Sequence, residues 1–190
     1  MLPTEPIGSI PRPKALQDGM RAAAAGLISP DDLEALFDDA VRDTLSRFEA
    51  TGSPVVTDGE QRKPSFATYP IAGFADLAEG GVTIAFKDGH TRQLPILTAG
   101  PFRYATKAWS YLDAAQKHTT AQLKQAVISA SALSLVYPQD GIAGYPRQAF
   151  LDDLVAEAAA EIRGCIERGA IVQIDFTEAR LSLKLDPSKG

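Results

Sequence analysis

Cysteine and histidine are scarce in this sequence: one cysteine, Cys165, and two histidines, His90 and His118, in 190 residues. A lone cysteine has no internal disulfide partner, which agrees with a reducing compartment. The three residues fall on separate predicted elements and offer no pair at metal-ligand spacing, so no metal site is expected in this chain. Positive charge is also short. Lys and Arg total 19 against 24 Asp and Glu, a net charge of -5, so no broad basic field exists to attract phosphate backbones or anionic lipid. Nucleic acid and membrane are therefore not expected partners. No apolar run reaches the length of a bilayer span, and the opening MLPTEPIGSIPRP lacks a basic segment followed by an apolar one, so a cytoplasmic location is expected.

What is present is an ordinary globular composition, 45% apolar and 23% charged, enough for one domain over residues 1–190 or for part of one. Glu5 to Ile10 reads as a short first strand closed by Pro11 and Pro13. Ser29-Pro30-Asp31-Asp32 combines an N-cap, a proline at the first helical position and acidic residues at the positive helix end, so a helix is predicted from Pro30 to about Ala50. Leu33, Leu36, Phe37, Ala40, Val41, Leu45 and Phe48 form its apolar stripe, and Gly52 ends it. Pro54 to Thr57 is a second strand leading into Asp58-Gly59-Glu60. Residues 81–97 read as an inserted hairpin, Val82 to Phe86 and Thr91 to Leu97 around Asp88-Gly89. A helix near Lys107 to Gln116, a strand Lys124 to Ile128 with the loop Ser129-Ala130-Ser131, a helix Pro146 to Arg168 and a strand Ala170 to Ile174 follow. The apolar face of the Pro146 helix is predicted from Phe150, Leu151, Leu154, Val155, Ala158, Ile162 and Ile166.

Helices separate successive strands, as in parallel βα architectures. A barrel segment and an open doubly wound sheet both fit. The first strand-to-helix turn, Ile7-Gly8-Ser9-Ile10-Pro11, lacks the spaced glycines of a dinucleotide fingerprint, which favours the barrel. Functional groups of such barrels gather where strands end. Here those ends present Gly8 and Ser9, Asp58 and Glu60, Ser129 to Ser131, and Asp175. Glu60 and Asp175 suit an ammonium, and the N–H groups of Gly8 and Ser9 suit a carboxylate. Asp58 and Glu60 equally fit a turn-and-cap role, because Asp before Gly is a common turn signal. Asp175 directly follows an apolar run and needs a partner if buried. Cys165 reads as a small core residue, and His90 and His118 as surface residues. Trp109 and Tyr111 read as packing aromatics that could also stack on a flat ligand. Arg62 to Phe66 is either a solvated loop or a contact for an anion.

Three motifs now carry a resemblance: Ile7-Gly8-Ser9-Ile10-Pro11-Arg12-Pro13, Val56-Thr57-Asp58-Gly59-Glu60-Gln61, and Val172-Gln173-Ile174-Asp175. In order and approximate spacing the sequence resembles the catalytic barrel of the cobalamin-independent methionine synthases, over nearly its whole length. The resemblance implies an α/β fold, the first half of a (β/α)8 TIM barrel with about four βα units. It implies that Ile7, Gly8 and Ser9 receive the homocysteine carboxylate and that Glu60 and Asp175 hold its amino group. It also implies transfer of a methyl group to that thiol in an intact parent. The family's zinc, bound by His, Cys, Glu and Cys of later strands, has no counterpart here. A barrel needs about 250 residues, so the missing half, or a second copy, is the expected partner and this chain alone is expected to be inactive. Two departures weigh against a folate methyl donor. Ser129-Ala130-Ser131 stands where the family has Thr-Gly-Pro, with Val136 near its folate-stacking Trp, and Asp175-Phe176-Thr177-Glu178 stands where it has Asp-Glu-Pro. Similar barrels occur in coenzyme M transferases and in uroporphyrinogen decarboxylase. A zinc-free decarboxylase-like enzyme and a non-catalytic, self-associating half-barrel therefore remain open.

Overall fold

The computed structural model describes residues 4–85, 89 and 91–176. The chain divides into two compact units. The first comprises residues 1–66, 108–126 and 164–173, the second 67–107, 127–163 and 174–190. Their elements explain themselves locally. Pro13 precedes helix α1 (Lys14–Ala24), which the sequence pattern did not announce. Gly19 lies in its middle, and a Cβ there would collide with Leu36 Cδ1, so α1 tolerates a poor helix former because that residue admits close packing against α2. Helix α2 (Pro30–Ala50) has the predicted bounds. The Ser29 side chain accepts from the N–H of Asp32, and the Asp32 carboxylate accepts from the N–H of Ser29, a reciprocal cap that satisfies two donors of the helix start. Its predicted stripe is the inward one, with Ala40, Val41, Thr44 and Leu45 buried.

The predicted first strand is not formed as a strand. Residues 4–13 run as an irregular loop, held by the Ile10 N–H on the Gly59 carbonyl (3.1 Å) and the Gln173 amide on the Ile7 carbonyl (2.6 Å). With Pro11 and Pro13 unable to donate, this segment is tied by single bonds rather than by a ladder. The second predicted strand is reduced to a parallel bridge between Val56 and Leu123.

The hairpin region is more divided than predicted. Strand β1 (Leu77–Ala78) precedes it, β2 (Thr83–Ala85) pairs antiparallel with β3 (Thr91–Gln93), and β4 (Ile96–Leu97) pairs back with β1. Pro95, which has no N–H to give a ladder, separates β3 from β4. The turn residues Asp88 and His90 lie outside the described residues. Helix α3 (Trp109–Ala115) and strand β5 (Lys124–Ile128) follow, and every residue of β5 is buried. The predicted loop after β5 is instead a short helix, α4 (Ala130–Leu133), capped by Ser129. Helix α5 (Arg147–Glu167) leads into β6 (Ile171–Asp175). Ile171 donates to Leu123 and Ser129 donates to Asp175, so the rungs advance together and β5 and β6 pair in parallel.

The buried face of α5 differs from its predicted face. Phe150, Leu154, Ala158, Glu161 and Cys165 are buried, whereas Val155 and Ile166 are 60% and 57% exposed. The sequence pattern misplaces the stripe because it cannot credit a buried glutamate. In the second unit the Tyr69 hydroxyl donates to Glu161 Oε2 (2.9 Å) and accepts from the Ile128 N–H (3.4 Å). Burial, with Glu161 beside it, pushes the Tyr69 phenol above its ordinary range, so it stays a donor. Around this pair Phe102 packs edge-on against Phe150 and Tyr137 packs tilted against it, with ring centres 5.1–5.2 Å apart. In the first unit Leu16, Val41, Leu45, Val56, Leu112 and Cys165 are buried. Among the described residues no helix is long and apolar enough to cross a membrane.

Gly164 of α5 faces the Trp109 ring, which also lies under the Arg168 guanidinium (5.3 Å). A methyl at residue 164 would overlap Trp109 Cε3. Gly164→Ala gains up to about 1 kcal/mol of helix propensity but forces that pinned ring aside, at a cost of about 1–3 kcal/mol. The expected result in urea unfolding is net destabilisation with an unchanged m-value.

Candidate functional site

The first unit gathers the motifs of its loops around one turn. Val56 accepts from the Lys124 N–H (2.9 Å) and donates to the Gln122 carbonyl (2.9 Å), which aligns residues 55–57 beside β5 and aims residues 57–63 past its end. The Thr57 hydroxyl accepts from the Gly59 N–H (3.2 Å), and Asp58 Oδ1 accepts from the Glu60 N–H (2.8 Å). These side-chain acceptors close the chain into consecutive left-handed residues, Gly59 at φ 61 and Glu60 at φ 56. Gly59 is required twice over: a Cβ there would stand 2.7 Å from Ile10 Cγ1 and 2.9 Å from Thr44 Cγ2. Glu60 has no such exemption. A glutamate held there costs about 1–3 kcal/mol, and such strain persists only where the surroundings over-determine it.

Two cations supply that determination. Arg12 donates to the Gln61 carbonyl (2.9 Å), to the Glu60 carbonyl (3.4 Å) and to the Lys63 carbonyl. Lys63 folds inward. Its ammonium meets Glu60 Oε1 at 2.9 Å and donates to the Ala126 carbonyl of β5 at 2.7 Å, with side-chain exposures of 1% for Lys63 and 5% for Glu60. The other oxygen, Glu60 Oε2, accepts from the Ser9 hydroxyl, and a Cβ on Gly8 would stand 3.8 Å from it. Ser9 is exposed and Gly8 half-buried. Among the described residues the N–H groups of Gly8 and Ser9 have no intramolecular acceptor.

Four of the five predicted site residues thus lie in the first unit, with Gly8 and Ser9 against Glu60. Ile7 is 76% exposed and contributes its carbonyl to Gln173. Asp175 ends β6 in the second unit, half-buried, with its carbonyl accepting from the Ser129 N–H (3.1 Å). Arg12 and Lys63 were not foreseen as parts of the site. The three-residue spacing of Glu60 and Lys63 was the available signal, but spacing in a turn does not say that both side chains point inward.

The two cations of the Arg62 to Phe66 segment are turned onto the protein's own carboxylates rather than into solvent. Lys63 serves Glu60, while Arg62 bonds Glu34 (2.7 Å) and Asp38 (2.5 Å) of α2 and lies over the Phe37 ring (5.4 Å). Burial opposes the Arg62 charge, yet the bonds from Glu34 and Asp38 outweigh it and raise its pKa. His118, expected at the surface, has a side chain only 12% exposed, with Nε2 3.5 Å from Asp38 Oδ1. Cys165 is buried, as expected of a small core residue.

Asp58 is the turn's second buried acid. Its Oδ1 serves the Glu60 N–H, while Oδ2 is buried with no hydrogen-bond partner among the described residues. Burial pushes this carboxyl above its ordinary range, although Lys63 and the Glu60 N–H pull the other way. A carboxyl with a raised folded pKa contributes its full stability below the unfolded value and loses it as the pH rises through the folded one. Asp58→Asn keeps the acceptor for Glu60 and removes the charge. At pH 7 it should therefore raise the melting temperature, by about 2–4 °C per kcal/mol recovered, with the gain shrinking towards pH 4. Thermal unfolding at both pH values checks this, and a loss of stability at pH 7 would show that Oδ2 is paired.

No family model matches this chain. Curated relatives do. The chain is 46% identical over 77 residues to a methionine synthase of Sulfurisphaera tokodaii, and 41% identical over 80 residues to one of Saccharolobus islandicus. These matches cover 39% and 42% of this chain but only 23% of each relative. Among solved structures, a B12-independent methionine synthase from Shewanella sp. W3-18-1, in complex with selenomethionine, superposes with a TM-score of 0.67 at 20% identity, over 92% of this chain and 51% of that one. A putative vitamin-B12-independent methionine synthase from Listeria monocytogenes gives 0.64 at 19% identity, over 89% and 50%. The chain spans about half the length of these structures. Over 77–80 residues the sequence is thus similar to curated methionine synthases, and the α/β fold is similar to that of B12-independent methionine synthase structures.

Proposed function

We propose that this chain carries the amino-acid half of a methionine-synthase-like site, in which the thiol of homocysteine or a related amino acid is presented for methylation in the intact parent. The observation that carries the reading is the contact of the Ile7-Gly8-Ser9 turn with Glu60. It sets N–H groups without an intramolecular acceptor among the described residues beside a buried carboxylate whose Oε2 is met from the Gly8 and Ser9 side. An α-amino acid needs that pairing: donors for its carboxylate and an acceptor for its ammonium. In this reading Gly8 and Ser9 hold the carboxylate and Glu60 the ammonium. The chain's part in the reaction is to bind and orient the thiol.

Zinc does not fit the described residues of this chain. No group of three or more His, Cys, Asp or Glu converges among them, Cys165 is enclosed in the core and His118 sits beside Asp38. No step of the proposal passes through a metal.

We further propose that the two parallel strands belong to the first part of a (β/α)8 barrel completed by strands outside this chain, from the rest of a longer protein or from a second copy. The half-length match to the solved structures supports this. So does the exposure of Ile171, Ile174 and Phe176 along and just beyond β6, at 45%, 55% and 62%, because a parallel strand is normally covered on both faces. Sedimentation of the 190-residue chain should then show self-association, and a cooperatively unfolding monomer of 20.2 kDa would overturn the barrel reading.

Binding tests the site itself. L-Methionine and L-homocysteine should bind saturably in calorimetric titration, and Glu60→Gln should weaken both by about tenfold or more, the worth of one hydrogen bond to a charged group. A folded chain that binds neither amino acid would remove the reading.

A further inference from the structure

We infer that Lys63 is a positioning residue that divides the Glu60 carboxylate into one oxygen fixed by the protein and one presented to a ligand's ammonium, and so sets the site's selectivity for the amino group. The inference deepens the amino-acid reading above and rests on it.

A glutamate side chain has three rotatable bonds, and its terminal torsion is broad and roughly two-fold, so its carboxylate turns readily unless something holds it. At Glu60 the hold is specific. The Lys63 ammonium takes Oε1 at 2.9 Å and is itself anchored to the Ala126 carbonyl of β5 at 2.7 Å, so Oε1 is referred to a buried strand. The Lys63 N–H donates to the Glu60 carbonyl at 3.2 Å, and Arg12 bonds the carbonyls of both residues. Backbone and side chain of the pair are therefore tied to each other and to Arg12. With Oε1 committed, the oxygen left for other donors is Oε2, which is the one beside Ser9 and Gly8.

A residue that only stabilises the fold could be placed anywhere in the turn. Lys63 is placed on the one side chain assigned to the ligand, and on its far oxygen. Nor is a buried ion pair an efficient stabiliser, because desolvating two charges offsets most of their attraction. Positioning accounts for both its place and its retention. The recognised ligand class follows: a primary ammonium beside a carboxylate, with the desamino acid as the group it rejects.

The test uses L-methionine and its desamino analogue, 4-(methylthio)butanoic acid. The unsubstituted chain should prefer L-methionine by about tenfold or more. Lys63→Met removes the ammonium and keeps an unbranched stem; it should lower L-methionine affinity to that of the analogue while leaving analogue binding unchanged. A merely structural role would weaken both ligands alike, and a retained preference would also overturn the inference. Because removing one partner of a buried pair can prevent folding, the same question is put to the unsubstituted protein. The 15N resonance of the Lys63 ammonium, assigned by its loss in Lys63→Arg, should shift with L-methionine and not with the analogue. Equal response to both, or to neither when both bind, overturns the positioning role. If the unsubstituted chain shows no preference for L-methionine, the amino-acid reading of Glu60 fails and the inference with it. If the preference is present but independent of Lys63, the inference alone fails.

Discussion

The ion pair between Glu60 and Lys63 is the constraint on which the first unit depends. Two opposite charges with side chains 5% and 1% exposed are tolerated only if their remaining bonding capacity is satisfied from fixed positions. Each element around them supplies one of those positions. The 4–13 loop brings Ser9 to Glu60 Oε2 and Arg12 to the carbonyls of the turn. Helix α2 brings Thr44 against Gly59, and β5 brings the Ala126 carbonyl to Lys63. The irregular course of the opening loop makes sense on these terms, since its residues are spent on contacts to the turn instead of on a strand ladder.

The same logic recurs in the second unit with a neutral donor. Tyr69 gives its hydroxyl proton to the buried Glu161 and takes the Ile128 N–H, so one phenol joins α5 to the end of β5. The aromatic cluster of Phe102, Tyr137 and Phe150 packs alongside. Here the polar pair serves the packing of a helix on a strand, and Tyr69 and Glu161 have no positive φ. That contrast sets the Glu60 turn apart. Buried charge occurs in both units, but left-handed strain at a non-glycine residue and donors without an intramolecular acceptor occur together only beside Glu60 among the described residues.

Much of this was legible in the residues themselves. The bounds of α2 follow from Ser29, Pro30 and Asp32, whose capping chemistry acts over three residues and needs no tertiary partner. β5 and β6 follow from β-branched and apolar runs, and Gly8, Ser9 and Glu60 stand out as turn-forming or polar residues at the ends of short apolar segments, although neither segment forms a named strand. The sequence by itself therefore determined α2, β5, α5 and β6 and which loops carry polar groups, because caps, turns and hydrophobic periodicity are local.

Only the tertiary structure decided how those groups are used. It replaced the first strand with a loop, since pairing depends on a neighbour that local propensity does not contain. It turned the buried face of α5 towards Glu161 and Cys165 and away from Val155 and Ile166, because a distant tyrosine makes the glutamate acceptable inside. It drew Lys63 and Arg12 onto the Glu60 turn, where hydrophobicity would have left both in solvent. In each case the deciding term is the satisfaction of a buried polar or charged atom by a partner many residues away, an energy that exists only once the chain has folded.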